Sequence, residues 1–293
     1  MTLAEVTSTA VHTLRTAGVD SPELDAEILL AHVVGHDRTW ILAHREYTLS
    51  HTEQKNFGGL LAQRAARVPI AYLTGHKEFF GLDFVVNKKV LTPRPETELL
   101  VQTALDYIAT YPSTRSLLDI GTGSGAIACA IARHAPGLSH ILAVDVSTAA
   151  LEIAKQNAAH LGLSERVKFK RYHVGRMQTL KSRFDIIVSN PPYLSQKEFF
   201  EAKQSCPELT HEPQLALLGG TDGLLFITMV VRAAKKHLNR DGALFMEIGS
   251  EQAEDVKKLV ATLLPGYGAT IKKDLAGLDR IAEILPLTEG SSQ

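Results

Sequence analysis

The sequence predicts an α/β protein in which a doubly wound sheet follows a small helical region. Three observations carry this. From Leu117 onward, short apolar runs alternate with stretches of helical length, which is the pattern of strands joined by crossover helices. A glycine loop, Gly121-Thr122-Gly123-Ser124-Gly125, lies between the first of those runs and the helix after it. Before about residue 80 the apolar spacing is helical throughout, with no repeat or low-complexity segment.

The helical region begins with Leu3, Val6, Val11 and Leu14 at roughly helical spacing. Ser21-Pro22-Glu23 reads as a second helix start, with a cap, proline at the first position and an acid near the dipole. Leu24, Ile28, Leu29 and Val33 give its apolar stripe, which Gly35 ends. Asp37 is placed to cap a short helix carrying Trp40 and Ile41, and Thr52-Glu53 to start another that runs to about Arg67. Such short amphipathic helices pack as a bundle. Up to residue 83, seven Lys and Arg stand against ten Asp and Glu, which argues against a nucleic-acid-binding arm. The expected division is a helical domain over 1–75, which either recognises a substrate or only covers the domain after it, a linker hairpin over 76–92 and the α/β domain over 93–293.

Two β-prone runs around Gly81, spanning Glu78 to Val86, predict the hairpin. Thr92-Pro93-Arg94-Pro95-Glu96-Thr97-Glu98 then opens an amphipathic helix with Leu99, Leu100, Ala104 and Tyr107. Prolines and acids in a first turn are ordinary helix-start chemistry; the functional alternative is a rigid rim that presents Arg94 and Glu96 to a site. Strands are expected over 117–120, 141–144, 167–172, 184–188, 243–248, 269–271 and 281–285. Helices are expected from Ala126, from a Ser147 cap, over 224–238 and over 251–264. The stretch from Leu194 to Asp222 has little periodicity and reads as a lid or binding loop. The terminal Ser-Ser-Gln reads as a frayed tail.

The length, 293 residues, suits one large or two ordinary domains, and 45% hydrophobic with 22% charged residues is globular composition. The net charge of −1 supplies no bulk attraction to nucleic acid or an anionic membrane. No apolar run is long enough to span a bilayer, and no secretory signal is visible. Cys129 and Cys206 are far apart without metal-ligand spacing. Together with scattered histidines, they point to reduced thiols in a cytoplasmic protein and to no metal.

Two stretches carry chemistry. The glycine loop permits a tight turn and close ligand approach before a helix N-terminus. Asp145, ending the next strand, is placed to accept hydrogen bonds from both hydroxyls of a ribose. A loop preceded by Asp119 and lacking the G-x-G-x-x-G spacing suits S-adenosylmethionine, which carries no phosphate, better than a dinucleotide. The second stretch is Asn190-Pro191-Pro192-Tyr193, at the carboxyl end of the 184–188 strand, where open α/β sheets bind ligands. Its prolines fix φ and restrict the residues before them. The carbonyls of Asn190 and Pro191 are thereby held as fixed acceptors, the Asn190 side chain adds another, and Tyr193 offers a flat face. This suits a planar –NH2 group, although Asn-Pro is also common turn chemistry.

With these residues in place the sequence resembles the release-factor glutamine methyltransferases, the PrmC/HemK family. The resemblance extends over nearly the whole chain: Ser21-Pro22, Asp25-Ala26-Glu27, Pro69 to Gly75, Pro93 to Glu98, Asp119 to Gly125, Asn190 to Tyr193, Gly220 to Leu224, Glu247-Ile248-Gly249 and Ala276 to Arg280. It implies a seven-stranded Rossmann-like methyltransferase sheet with a helical substrate domain. It implies methylation of the glutamine side-chain nitrogen in the Gly-Gly-Gln motif of class 1 peptide-chain release factors, with S-adenosylmethionine converted to S-adenosylhomocysteine. Carried over by position, Gly121, Thr122, Gly123, Ser124, Gly125, Asp145 and Asn190 would hold the cofactor. Asn190 and Pro191 would be the catalytic groups, and Asn190, Pro191, Pro192 and Tyr193 would hold the glutamine amide. The family usually has an acid near adenine after the third strand; here Tyr172-His173-Val174-Gly175-Arg176-Met177 contains none. The alternatives are an adenine-N6 DNA or RNA methyltransferase, disfavoured by the balanced charge, and a non-catalytic methyltransferase-like binding protein. An NAD-dependent dehydrogenase is more distant, for want of a proton-transfer histidine motif.

Overall fold

A computed structural model describes residues 1–287; the terminal Ser-Ser-Gln lies outside them. Two compact units are formed, one from Met1–His76 with Ser205–His211, the other from residues 77–204 and the described residues after His211.

The first unit contains α1 (Leu3–Thr16), α2 (Pro22–Val34), α3 (Arg38–Ala43), α4 (His51–Ala65) and α5 (Ile70–Thr74). The apolar stripes read from sequence converge here: Leu3, Val6, Leu14, Leu29, Leu30, Ile41 and Phe57 form one buried core. Asp37 caps α3 by accepting from the Trp40 amide at 2.8 Å. Two caps differ from expectation. Ser21 makes no side-chain cap bond, so α2 starts on Pro22 alone. The α4 cap is Ser50, not Thr52, because Ser50 and Glu53 close a reciprocal capping box.

The second unit opens with the hairpin β1 (His76–Phe79) and β2 (Leu82–Val85), followed by α6 (Glu98–Thr110). Then come β3 (Ser116–Ile120), α7 (Ala126–His134), β4 (His140–Asp145), α8 (Thr148–His160), β5 (Val167–Arg171) and β6 (Phe184–Ser189). The chain continues through α9 (Gln196–Ser205), α10 (Leu225–His237), β7 (Leu238–Glu247), α11 (Ala253–Leu263), β8 (Tyr267–Lys273) and β9 (Asp279–Pro286). Its seven-stranded sheet has the order β5-β4-β3-β6-β7-β9-β8. Only β9 is antiparallel to its neighbours, so this is the doubly wound sheet the alternation predicts. β3, β4 and β6 are buried nearly end to end, as strands covered on both faces must be.

Two elements depart from the sequence reading. The stretch from Leu194 to Asp222 is not a plain loop: it holds α9 and two short 3-10 helices, Pro207–His211 and Gln214–Ala216. α9 buries only Phe199, so it leaves almost no apolar period to read. β7 begins five residues earlier than expected. Asn239-Arg240-Asp241-Gly242 resembles a turn, but it is a bulged strand start, with the register against β6 shifting between Phe184 and Ile186.

The strand order places the site. From β3 the chain winds through β4 to β5 on one side; from β6 it winds to β7 on the other. The switch point therefore lies between the carboxyl ends of β3 and β6, where such sheets bind ligands. Ile120 pairs with Ser189 there, and the Ser189 hydroxyl donates to the Ile120 carbonyl at 2.7 Å. The glycine loop and the Asn-Pro-Pro-Tyr run are the next residues on those two strands.

Candidate active site

The glycine loop hangs from the end of β4, because the Gly121 and Thr122 amides both donate to the Val144 carbonyl, at 2.8 and 3.0 Å. Gly121 and Gly123 leave open space where a Cβ would stand and line a cavity of about 240 Å³. Asp145, Asn190, Pro191 and Pro192 line the same cavity. Thr122, Ser124, Gly125 and Tyr193 do not; they build the walls from behind. The Thr122 hydroxyl donates to Asp119 at 2.6 Å. The Ser124 carbonyl accepts from the buried Asn157 amide at 2.9 Å, and Asn157 also exchanges two hydrogen bonds with the Val85 backbone. Asn157 thus ties the hairpin to the glycine loop. In sequence it is one polar residue among alanines on α8, detectable only as a polar break in a buried stripe.

Asp119 is fully buried, and that burial pushes its carboxyl up to about 7 against the pull of the Thr122 hydroxyl, with the Asp145 charge adding to the rise. Asp145 is oriented by the Gly123 and Ser147 amides, each donating at 2.9 Å. One amide to each oxygen fixes the carboxylate plane and leaves lone pairs on both oxygens. Beyond Asp145 the cavity is mostly apolar, with Val146, Ala150, Val174, Phe226 and Val230 among its walls. Leu215 and Ala216, from the stretch read as a lid, also line it. Where the family places its acid, His173 lines the cavity; its Nδ1 accepts from the Gly175 amide at 3.1 Å. The glycine backbone, a fixed carboxylate and an apolar ledge fit a nucleoside with an amino-acid tail.

Behind Asn190 lies a polar cluster that sequence reading does not reveal. Asn190 Nδ2 donates to Thr97 Oγ1 at 3.1 Å. Thr97 Oγ1 donates to Glu247 Oε2 at 2.6 Å, and the Tyr193 hydroxyl donates to Glu247 Oε1 at 3.2 Å. Glu247 ends β7 and is buried. Burial raises its carboxyl pKa, while the Thr97 hydroxyl and the Arg280 charge oppose that rise. Burial also raises the Tyr193 hydroxyl. Arg94 and Glu96 are not on the cavity wall. Arg94 pairs with Glu212 at 2.5 Å, and Glu96 is exposed. In the Pro-Arg-Pro-Glu-Thr-Glu run it is Thr97, between the two acids, that reaches the site.

The backbone of the Asn-Pro-Pro-Tyr run is held by close packing. The Gly219 amide donates to the Leu194 carbonyl at 2.7 Å, and Gln252 Nε2 donates to the Tyr193 carbonyl at 2.9 Å. Gly223 has φ of +79°, and a Cβ there would lie 2.3 Å from the Tyr193 carbonyl oxygen. Gly223→Ala is therefore expected to displace the run. Both contact and φ oppose a side chain, so the cost should exceed the ~1 kcal/mol typical of a left-handed non-glycine residue. Thermal melting and methyl transfer should fall together; an unchanged melting point would mean the loop accommodates a Cβ.

Family comparisons agree with this geometry. A model of the PrmC N-terminal domain matches residues 5–75, and a model of the methyltransferase small domain matches residues 95–208. Release factor glutamine methyltransferase of Aliivibrio fischeri is 37% identical over 273 residues, covering 93% of each chain. The chain belongs to the release factor glutamine methyltransferase family. The family protein of Rhodopirellula baltica is 41% identical over 271 residues, covering 91% of this chain and 90% of that one. Membership makes the chain an S-adenosylmethionine-dependent methyltransferase. Among solved structures, the hMettl16 catalytic domain in complex with a MAT2A 3'UTR hairpin matches with a TM-score of 0.58 and 19% identity. That match covers 80% of this chain and 84% of the other, and it is a likeness of fold. Among the described residues, no helix of this family member is long and apolar enough to cross a membrane.

Proposed function

We propose that this chain transfers a methyl group from S-adenosyl-L-methionine to the side-chain nitrogen, N5, of the glutamine in the Gly-Gly-Gln motif of class 1 release factors, in the cytoplasm. One observation carries the reading: Asn190 and Pro191 open onto the same cavity as Gly121, Gly123 and Asp145. An amide held by the strand end thus stands beside a nucleoside held by the glycine loop. Family membership supports the same substrate. The helical unit is assigned to recognising the release factor, and no direct nucleic-acid contact is assigned.

Gly121 and Gly123 would let the amino-acid tail of the cofactor approach the backbone, and Asp145 would accept from the ribose hydroxyls. The apolar ledge would take adenine. When bound, the cofactor supplies an activated methyl on a sulfonium. A carboxamide nitrogen is a poor nucleophile because its lone pair is delocalised into the carbonyl. The contribution of the chain is therefore alignment and charge stabilisation. Asn190 Oδ1 and the Pro191 carbonyl would accept the two amide hydrogens. That turns the nitrogen toward the methyl and stabilises positive charge developing on it, and one N–H proton leaves after transfer to give the neutral N-methyl amide. Pro192 fixes the backbone behind these acceptors. Tyr193, tied to Glu247, supports the strand end from behind the cavity wall.

The test is methyl transfer from labelled S-adenosylmethionine to a purified release factor, to its Gln→Ala form and to duplex DNA. Label on the intact factor alone is expected. Label on DNA alone would replace this reading with the adenine-N6 one, and no label on any substrate, with the cofactor still bound, would favour a binding protein. Asp145→Ala is expected to weaken cofactor affinity by about 10- to 100-fold, since hydrogen bonds to a charged group contribute roughly 1.5–3 kcal/mol. Calorimetric titration with S-adenosylhomocysteine reads this directly; unchanged affinity would remove Asp145 from the site.

A further inference from the structure

Asn190 acts in the proposed reaction only if its Oδ1, not its Nδ2, faces the substrate amide. An asparagine side chain has two nearly isosteric directions, and the surrounding donors and acceptors decide between them. The deciding group lies two bonds away. A carboxyl group whose two oxygens both accept has no hydrogen of its own to offer. Both Glu247 oxygens are taken by hydroxyl donors, Thr97 Oγ1 at 2.6 Å and the Tyr193 hydroxyl at 3.2 Å. With its one hydrogen committed to Glu247, Thr97 presents only lone pairs to Asn190, and Nδ2 is the atom that meets them, at 3.1 Å. Oδ1 is then turned the other way. Thr97 heads α6 yet makes no side-chain cap bond, although a threonine there ordinarily caps; its hydroxyl serves this chain of bonds instead. Thr97 and Glu247 are both buried, so water does not compete for either.

We propose that Thr97 and Glu247 are positioning residues that fix the direction of the Asn190 side-chain amide and so aim Oδ1 at the amide hydrogens of the substrate. The proposal rests on the glutamine-amide reading above. It gives a role to two residues that touch neither substrate nor cofactor.

The experiment is a double-mutant cycle in the full-length chain, read by single-turnover methyl transfer to the release factor. Thr97→Val is nearly isosteric and removes both the donor and the acceptor. It is expected to slow transfer about 10- to 100-fold, the scale of a misplaced reacting group, with S-adenosylhomocysteine affinity unchanged. Thr97→Ser keeps the hydroxyl and should restore most of the rate. In an Asn190→Ala background, Thr97→Val should add no further loss, because its effect passes through the missing amide. Losses that multiply, or a serine variant as slow as the valine one, would overturn the proposal. A second readout needs no substrate: the Asn190 side-chain NH2 protons, followed by nitrogen-15 NMR, should exchange slowly in the wild type and quickly in Thr97→Val. Equal exchange in the two proteins would also overturn it. If the wild type fails to label the release factor, the glutamine reading falls, and the NMR comparison still decides whether Thr97 holds Asn190.

Discussion

Asn190→Ala is expected to lower methyl transfer to the release factor by about 10²- to 10³-fold, the cost of removing one preorganised group aimed at developing charge. The size follows from what the substrate lacks. An amide nitrogen brings no ionisable proton that an ordinary base could remove, and no buried histidine lines the cavity. Rate enhancement must come from orienting the nitrogen and meeting its charge as it forms. Alanine leaves the Pro191 carbonyl in place but frees one amide hydrogen, so the nitrogen can rotate away from the methyl. Cofactor affinity should stay near that of the wild type, because Gly121, Gly123 and Asp145 are held by the β4 carbonyl of Val144 and by the Gly123 and Ser147 amides, not by Asn190. Single-turnover rate and calorimetric affinity, measured on the same preparation, separate the two. If affinity falls as far as rate, Asn190 serves the cofactor or the fold instead of the amide.

The parts of the molecule legible in its sequence are those whose burial is periodic or whose backbone is constrained. β3, β4 and β6 announce themselves because both their faces are covered, which demands continuous apolar runs. The glycine loop and the paired prolines are legible because few other residues adopt those conformations. α9 escapes notice because a helix with one buried residue has no stripe. The start of β7 escapes because a bulge uses the same residues as a turn. The concealed part of the site is different in kind. Thr97 looks like a helix cap and Glu247 like the polar end of a strand, and each has an adequate local explanation. Their joint purpose exists only after folding brings positions 97, 190 and 247 together. One trace was available: Glu247 follows Ala243 to Met246 and precedes Ile248. An acid closing so apolar a run must find hydroxyl or cationic partners when buried.

Arg64→Met is expected to destabilise the helical unit by about 3–5 kcal/mol, the usual cost of leaving a buried charge without its partner. Arg64 is buried on α4, where its Nε donates to Asp25 at 2.6 Å and its Nη1 to Glu208 at 2.9 Å. Arg67 adds a second contact to Glu208 at 2.8 Å. One guanidinium thus joins an acid on α2 to an acid 144 residues beyond Arg64 itself, and methionine would fill its volume while stranding Asp25. The cluster should also give the unit an acid limb. Burial alone would raise the Glu208 carboxyl, but the Arg67 and Arg64 guanidiniums overcome it and lower it to about 2 from an ordinary 4.5. A depressed carboxyl stabilises the fold above its unfolded value, and that stability is lost as pH falls through the window from about 4.5 to about 2. Trp40, the single tryptophan, lies on α3 in the same unit and reports its unfolding. Its ring stacks between His36 and His44, and its emission wavelength is the signal to follow. Urea midpoints should fall between pH 5 and pH 3 in the wild type, and Glu208→Gln should lower the midpoint at pH 7 and flatten that acid dependence. A wild-type midpoint that does not move over this range would mean the three charges contribute geometry without net stability, as buried ion pairs often do.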